Sequence, residues 1–374
     1  MSMIYLEDQH QTSAEELAQV KRVESIPYIN EVDSSLAVAL KFAWQWLRGD
    51  TRFEQATSGS TGSPQVINIR REQMMASAQI TIEALKLGQR DSSLLCLSAE
   101  YVGGKMMIVR SLLANMNMVI VRPTANPLPY VPFLPTFVAL VPLQMQTLLD
   151  EGASDQLNRM KAIIVGGAPV STSLEKQIVK SLTVPVYSTY GMTETVSHVA
   201  LRKITPPGDS VYFNVLGGTA IAKDARGCLK IRGKVTSNKW LATNDLVEIK
   251  GGNQFRWLGR YDSVINSGGV KVVPEVIEQV LEPITKKVNF TGRLLVSSLP
   301  DQKLGERIVL LMEGHPLSKN AERNILSEAV QQLAKYQVPK AIYYLPQFAE
   351  TSTGKVQRSR SRLMLLQSLA TPEN

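Results

Sequence analysis

The sequence predicts an α/β protein with a large N-terminal domain of parallel-type sheets, a small β subdomain at its end, and a small α+β C-terminal domain. Three observations lead there. Short apolar runs alternate with helical periodicity over roughly the first half of the chain, the pattern of a parallel sheet with helical crossovers. From about Val211 the texture changes to short strands separated by turn residues. Beyond Gly259 helices and strands return in a third texture, so the chain divides near Asp262, into 1–261 and 262–374, with the β subdomain at about 211–258.

Taken in order, residues 1 to about 50 read as an irregular lead followed by a helix. Leu36, Leu40, Ala43 and Leu47 recur at helical spacing there, and Phe42, Trp44 and Trp46 add apolar bulk. A strand is expected at 65–69 and a helix at 72–87, packed by Met75, Ala78, Ile82 and Leu85. Next come a buried strand at 94–97, a turn at Gly103-Gly104, a helix at 106–113 and a strand at 119–121. The alternation continues with strands at 137–141, 162–165 and 183–187 and helices at 143–149 and 174–182. The β subdomain is read from strands at 212–216, 228–232, 246–249 and 254–258. Helices at 274–281 and 321–336 and strands at 293–297 and 308–312 complete the chain, with no internal repeat or low-complexity tract.

At 374 residues with 44% hydrophobic content, the chain is long enough for two or three ordinary globular cores. No segment approaches the ~18 unbroken apolar residues of a membrane span. The first eleven residues lack a basic end followed by an apolar core, so a cytoplasmic protein without stable membrane association is expected. Cys96 and Cys228 each sit beside apolar residues and read as two buried thiols, and three scattered histidines do not make a zinc site. The net charge of +8 favours anionic partners without choosing among them. Basic residues are spread along the chain, apart from a cluster at 355–362, and no aromatic platform interleaves with them, so nucleic acid is not the expected partner.

The most informative stretch is Thr57, Ser58, Gly59, Ser60, Thr61, Gly62, Ser63 and Pro64, two glycines and five hydroxyls in eight residues. Glycines let backbone N–H groups approach a phosphate, and the hydroxyls add donors around the same oxygens. The P-loop spacing is absent, and taken alone the stretch reads equally well as a flexible Ser/Gly turn. A second loop, Gly166-Gly167-Ala168-Pro169, follows an expected strand at the carboxyl end, where open α/β sheets place ligands; a tight structural turn is an equal alternative. A third, Tyr190-Gly191-Met192-Thr193-Glu194-Thr195, offers an aromatic face, hydroxyls and a carboxylate suited to adenine, phosphate and Mg²⁺. Each residue alone is more often a packing or capping residue; the loops together favour a nucleotide site.

From residue 50 or so to the C terminus, the chain resembles the adenylate-forming superfamily of acyl-CoA synthetases, peptide-synthetase adenylation domains and luciferases. Five segments occur in that family's order: the 57–64 loop, Tyr190-Gly191-Met192-Thr193-Glu194, Ala242-Thr243-Asn244-Asp245, Gly259-Arg260-Tyr261-Asp262-Ser263 with Gly268-Gly269, and Thr353-Gly354-Lys355-Val356-Gln357-Arg358. The resemblance implies an AMP-forming acid-thiol ligase using ATP, Mg²⁺ and coenzyme A on a small carboxylic acid. It assigns Lys355 to bridge the acyl carboxylate and α-phosphate, Glu194 to hold Mg²⁺, and Thr193 with the 57–64 loop to bind phosphate. It gives Asp245 and Arg260 the ribose and Tyr190 the adenine, with Gly191 in the same nucleotide motif; Gly167, Ala168 and Pro169 join the nucleotide site by their place at the strand end. It makes Asp262 the hinge of a mobile C-terminal domain and lines the path of the CoA thiol with Gly268 and Gly269. Gln65, Asn244 and Lys271 stand where many members carry Lys, Gly and Arg, and Lys271 keeps the charge without the bidentate fork.

Only about 56 residues precede the first motif, a compactness that resembles the 2-succinylbenzoate-CoA ligase group of menaquinone synthesis. Glu100-Tyr101 replaces that group's common Phe-His pair. A dicarboxylate needs a second cation; Lys105 and Arg110 are the candidates, with Tyr101 beside them, although solvated charges on a helix face are the bland reading of each. A ligase for another aryl or fatty acid, an adenylation enzyme loading a carrier protein, and a nucleotide-binding regulator without turnover remain alternatives. A homodimer stays open.

Overall fold

The computed structural model describes residues 2–7, 10–56, 65–206, 210–350 and 356–370. In chain order the elements begin with β1 (Met3–Leu6), β2 (Gln11–Ser13), α1 (Ala14–Gln19), α2 (Ser34–Leu47), β3 (Arg52–Ala56), β4 (Val66–Arg70) and α3 (Arg71–Leu85). Next come β5 (Ser92–Leu95), α4 (Val102–Leu113), β6 (Asn117–Ile120), β7 (Phe137–Leu140), α5 (Pro142–Asp150), α6 (Ser154–Asn158), β8 (Ala162–Val165), α7 (Thr172–Ser181) and β9 (Val186–Gly191). A strand-rich stretch follows: β10 (His198–Lys203), β11 (Phe213–Val215), β12 (Ala220–Lys223), β13 (Cys228–Arg232), β14 (Leu241–Lys250) and β15 (Gln254–Arg260). The remainder is β16 (Ile265–Ser267), β17 (Val270–Val272), α8 (Pro274–Lys287), β18 (Leu294–Asp301), β19 (Gly305–Glu313), α9 (Lys319–Gln332), β20 (Ile342–Leu345) and α10 (Arg358–Ala370).

One sheet of 13 strands runs β12-β13-β14-β15-β11-β10-β9-β8-β7-β5-β6-β1-β2. Its run from β9 to β1 pairs in parallel, whereas β9 through β15 and the edge strand β2 pair antiparallel. The parallel strands are apolar on both faces because helices cover both. Leu95, Ile120, Ala139 and Ile164 face the core shared with α2, α3 and α4. Their neighbours Leu94, Val119, Val138 and Ile163 face the core shared with α5 and α7. The strands of the expected β subdomain therefore continue the large sheet through β10. Between Arg260 and Ile265 the chain leaves it for a second sheet, β17-β16-β19-β18, with β20 parallel to β19. β3 and β4 form a separate hairpin, with Ala56 opposite Val66 at the end nearest residues 57–64.

Several local readings change. The lead is not irregular: β1 pairs with β6 and α1 opens on a Ser13–Glu16 capping box, features too short to register as periodicity. Gly103 and Gly104 lie inside α4, and a Cβ on Gly104 would fall 2.3 Å from the Ser98 carbonyl oxygen. That glycine exists for close approach of the helix to the 98–99 backbone, not for a turn. The buried face of α3 is Met74, Ser77, Ala78, Thr81 and Leu85, while Met75 faces solvent, because two hydroxyl residues turn inward in place of two apolar ones. β9 starts later than expected and carries Tyr190 and Gly191 as its last residues. Residues 358–370, of which the sequence marks only 358–362, as the end of a motif and part of a basic cluster, form α10.

Cys96 and Cys228 are buried free thiols, and burial pushes Cys96 up to about 12. No helix among the described residues is long and apolar enough to cross a membrane. The contact at Gly104 gives a stability prediction. Gly104→Ala should destabilise the fold by about 1–3 kcal/mol through overpacking against backbone. Gly103→Ala, whose Cβ meets only Leu97 Cδ1 at 3.7 Å, should be neutral or stabilising. Urea midpoints of the two variants check this, and equal midpoints would contradict the close-approach argument.

Candidate active site

The parallel strands β8 and β9 end side by side, and the loops that leave them are packed together. Gly166 sits directly against Thr189, since a Cβ at Gly166 would lie 2.1 Å from Thr189 Oγ1. Gly167, with φ +84, and the exposed Ala168 and Pro169 carry the chain on to α7, whose first N–H groups are capped by Ser171. From β9 the chain passes through Thr193–Thr195, a single 3₁₀ turn held by Thr195 Oγ1, which accepts from Met192 N at 3.0 Å. Glu194 is exposed on this turn and Thr193 is half-buried. A Cβ at Gly191 would lie 2.3 Å from the Ser197 carbonyl oxygen, so the start of β10 folds directly back on the end of β9.

Three motifs that are far apart in sequence meet at Asp245. Tyr190 Oη donates to Asp245 Oδ2 at 2.7 Å and Trp257 Nε1 donates to Oδ1 at 3.1 Å. The Arg260 guanidinium lies 3.8 Å from Oδ1 and is held by both oxygens of Asp262, at 3.0 and 2.8 Å. Sheet register explains the meeting, because Asp245 on β14 faces Arg260 on β15. Burial and the neighbouring Asp245 charge hold the Tyr190 hydroxyl well above its usual range, so it remains a donor. Its ring packs edge-on against Phe255 at 4.9 Å and Phe213 at 6.0 Å. A carboxylate offers about four acceptor positions, of which Tyr190 and Trp257 occupy two, leaving capacity for a ligand's hydroxyls. Trp257 was not singled out from the sequence; its signal was an indole on the strand facing Asp245, visible only once the β14–β15 register is known.

On the other side of Ser197 lies Arg110. It is fully enclosed at 1% exposure, donates through one Nη to Ser197 Oγ at 2.8 Å, and directs the other towards Met107 Sδ at 3.9 Å. Its Nε has no partner, and among the described residues no carboxylate pairs with it. Burial pulls its pKa down to about 9, which leaves it cationic at neutral pH. Burial, and then the Arg110 charge, hold the nearby His198 well below its ordinary value, so this ring is neutral; its Nε2 lies 2.9 Å from Thr81 Oγ1. His198, Ser197 and Thr81 were not identified from sequence, although hydroxyls on the inward face of α3 were the available signal.

The remaining candidates are placed as follows. Lys105 Nζ donates to the Glu54 carbonyl at 2.9 Å and lies over the Phe42 ring, so α4 braces β3 just ahead of residues 57–64. Gln55, bonded to the Glu100 carbonyl, adds to that brace. Tyr101 is exposed at the start of α4 and makes no side-chain cap. Gly268 and Gly269, at φ +61 and +80, form the two-residue turn between β16 and β17, where both positions require a left-handed backbone. Lys271 is exposed on β17. Thr57, Ser58, Gly59, Ser60, Thr61, Gly62 and Lys355 lie outside the described residues. Hard oxygen donors at Glu194 and Thr193 suit Mg²⁺, and both remain accessible.

A family model described as AMP-binding enzyme matches residues 10–224. The chain is 30% identical over 312 residues to a 2-succinylbenzoate-CoA ligase of Haemophilus influenzae, spanning 79% of this chain and 66% of that protein. It is 25% identical over 348 residues to the enzyme of the same name from Bacillus cytotoxicus, spanning 83% and 69%. A Dyadobacter fermentans structure described as an acyl-CoA synthetase (AMP-forming)/AMP-acid ligase II-like protein is 38% identical, with TM-score 0.61 over 95% of this chain and 99% of that one. An O-succinylbenzoate coenzyme A synthetase of Bacillus subtilis, solved with ATP and a magnesium ion, aligns with TM-score 0.68 over 83% of this chain and 69% of that one; at 21% identity this likeness is one of fold.

Proposed function

The chain belongs to the AMP-binding enzyme family and is an AMP-forming acyl-CoA synthetase, and on that premise we propose that its acid is an aromatic dicarboxylate of the 2-succinylbenzoate type. The observation that carries this reading is Arg110. An enclosed guanidinium with an unpartnered Nε and no counter-charge is costly, and a fold that keeps one has use for an anion there. A monocarboxylic acid commits its single carboxylate to the reaction and leaves Arg110 unbalanced. A dicarboxylate can react at one end and neutralise Arg110 at the other. Relatives carrying the name 2-succinylbenzoate-CoA ligase support the same choice, and with it a place in menaquinone synthesis.

In this reading a carboxylate oxygen attacks the α-phosphorus of ATP, the bond to pyrophosphate breaks, and pyrophosphate leaves. The sulfur of coenzyme A then attacks the acyl carbon, AMP departs, and the thiol proton is released. Asp245 would take the ribose hydroxyls on its remaining acceptor positions while Arg260, steadied by Asp262, balances its charge. Tyr190 would bound the adenine, and Thr193 with the 57–64 hydroxyls would donate to phosphate. Mg²⁺ held by Glu194 would screen the phosphate charge. Lys355 would gather the two anions at the α-phosphorus. Residues 262–374 would turn about Asp262 between the steps, bringing Gly268 and Gly269 to the thiol path.

The test is pyrophosphate release from Mg-ATP with 2-succinylbenzoate, benzoate, phenylacetate and octanoate, each with and without coenzyme A. The proposal expects the highest kcat/KM with 2-succinylbenzoate and thioester only when coenzyme A is present. A preference for a monocarboxylate would overturn the assignment of the acid. ATP binding without release for any acid would favour a nucleotide-binding regulator.

A further inference from the structure

Helix α8 carries Glu275, Glu278 and Glu282 at i, i+3 and i+7, so the three carboxylates share one face. They engage three separate parts of the molecule. Glu282 accepts from Thr172 N at 3.3 Å at the start of α7, the helix that follows the Gly166–Pro169 loop. Glu278 takes both Nη groups of Arg358, at 2.7 and 2.5 Å. Glu275 faces the end of β15, where a Cβ on Gly259 would lie 2.5 Å from its Oε2. Arg358 opens α10 and comes three residues after Lys355 in the sequence.

Glu275 is the unusual member. It is 6% exposed, and neither carboxylate oxygen has a well-aligned hydrogen-bond partner, although the backbone N–H groups of Glu275 and Arg260 lie near enough to favour its charge weakly. Its one counter-charge is Arg358, whose Nε approaches Oε1 to 3.3 Å while the paired edge of the same guanidinium is committed to Glu278. One enclosed and one partly buried carboxylate thus share one guanidinium, leaving a negative charge uncompensated when both are ionised. A side chain used only for packing would not retain such a group at the junction of the two sheets.

We propose that Glu275 is a positioning residue for the ligase reaction: seated between the end of β15 and Arg358, it sets how the chain that carries Lys355 is held against the strand that carries Arg260. The inference rests on the roles given above to Lys355 and Arg260. The groups facing Glu275 are the backbone of Gly259 and Arg260 from β15, Val273 before its own helix, Glu278 from its own helix and Arg358 from α10. Burial raises the Glu275 carboxyl above its ordinary value of 4.5, Arg358 opposes that shift, and Glu278 adds to it. A carboxyl raised in the held arrangement binds its proton more tightly there than when released. The junction is therefore firmest with Glu275 protonated and loosens as pH rises through the raised value.

Two readouts on the full chain test this. Hydrogen exchange at 257–261 and 273–277, corrected for intrinsic rates, should show protection falling with rising pH in the wild type. Protection should be independent of pH in Glu275→Gln and restored to pH dependence in Glu275→Asp. In parallel, the ratio of adenylation to thioester formation from supplied adenylate should vary with pH in the wild type and be flat in Glu275→Gln, displaced by up to about 10²-fold. Identical pH profiles for wild type and Glu275→Gln in both readouts would overturn the proposal. If the wild type releases no pyrophosphate with any acid, the ligase reading fails, while the exchange data still decide the role of Glu275 at the junction.

Discussion

Lys355→Ala should lower acid-dependent pyrophosphate release by about 10²–10³, equivalent to roughly 3–4 kcal/mol of transition-state stabilisation, with little change in ATP affinity. The size follows from the chemistry. A carboxylate and a triphosphate must come within bonding distance although both are anionic, and charge builds further on the α-phosphate oxygens as the new bond forms. A cation placed there acts most strongly in the transition state, so its removal falls on kcat. The competing account treats Lys355 as one of several solvated cations in the 355–362 cluster, whose loss the others would cover. The structure narrows such cover to the exposed Arg360, because Arg358 is tied to Glu278 and Arg362 to Glu306 and the Ser298 carbonyl. Lys355→Arg should restore only part of the rate, since a planar fork does not replace a compact ammonium. Thioester formation from supplied adenylate should be spared, because the bond that needs Lys355 is already made. A loss below about threefold in pyrophosphate release would remove Lys355 from the chemistry.

The parts of the fold legible in the sequence are those where one physical cause dominates. Residues 137–140 and 162–165 are uninterrupted apolar runs, buried at every position because helices cover both faces of those strands. β10 is apolar only in part, β1 buries only alternate residues, and α10 buries little beyond Ser361 and Leu365, so each gives a weak signal. The inward face of α3 was misread because Ser77 and Thr81 lie where an apolar pattern places none. At the site the motif residues Tyr190, Asp245 and Arg260 could be named individually, but their contact depends on the β14–β15 register and a strand end 55 residues away. Register across a sheet is a tertiary property, which is also why Trp257 went unnoticed. Arg110 was named as one charge on a helix; its complete burial and unbalanced charge appear only once α4 is packed.

Arg110→Met should separate diacids from monoacids. Removing one partner of an enclosed, hydrogen-bonded charge pair costs about 2–5 kcal/mol, so kcat/KM for 2-succinylbenzoate should fall by about 10² or more. Benzoate-type monocarboxylates, which never met the guanidinium, should be unaffected or improved. The same substitution should not damage the ligand-free fold, because replacing an unbalanced buried charge by an apolar side chain of similar length is neutral or stabilising. Thermal melting checks this: the variant should melt at or above the wild type alone, and should lose the stabilisation that 2-succinylbenzoate with Mg-ATP gives the wild type. pH supplies an independent check. With burial holding Arg110 at about 9 in the ligand-free protein, KM for the diacid should climb as pH rises through that value, whereas KM for a monoacid should not. A bound carboxylate favours the charged form and opposes this loss, so saturating diacid should move the break to higher pH. A uniform loss across all acids, together with a lower melting temperature, would make Arg110 a structural residue and withdraw the diacid assignment.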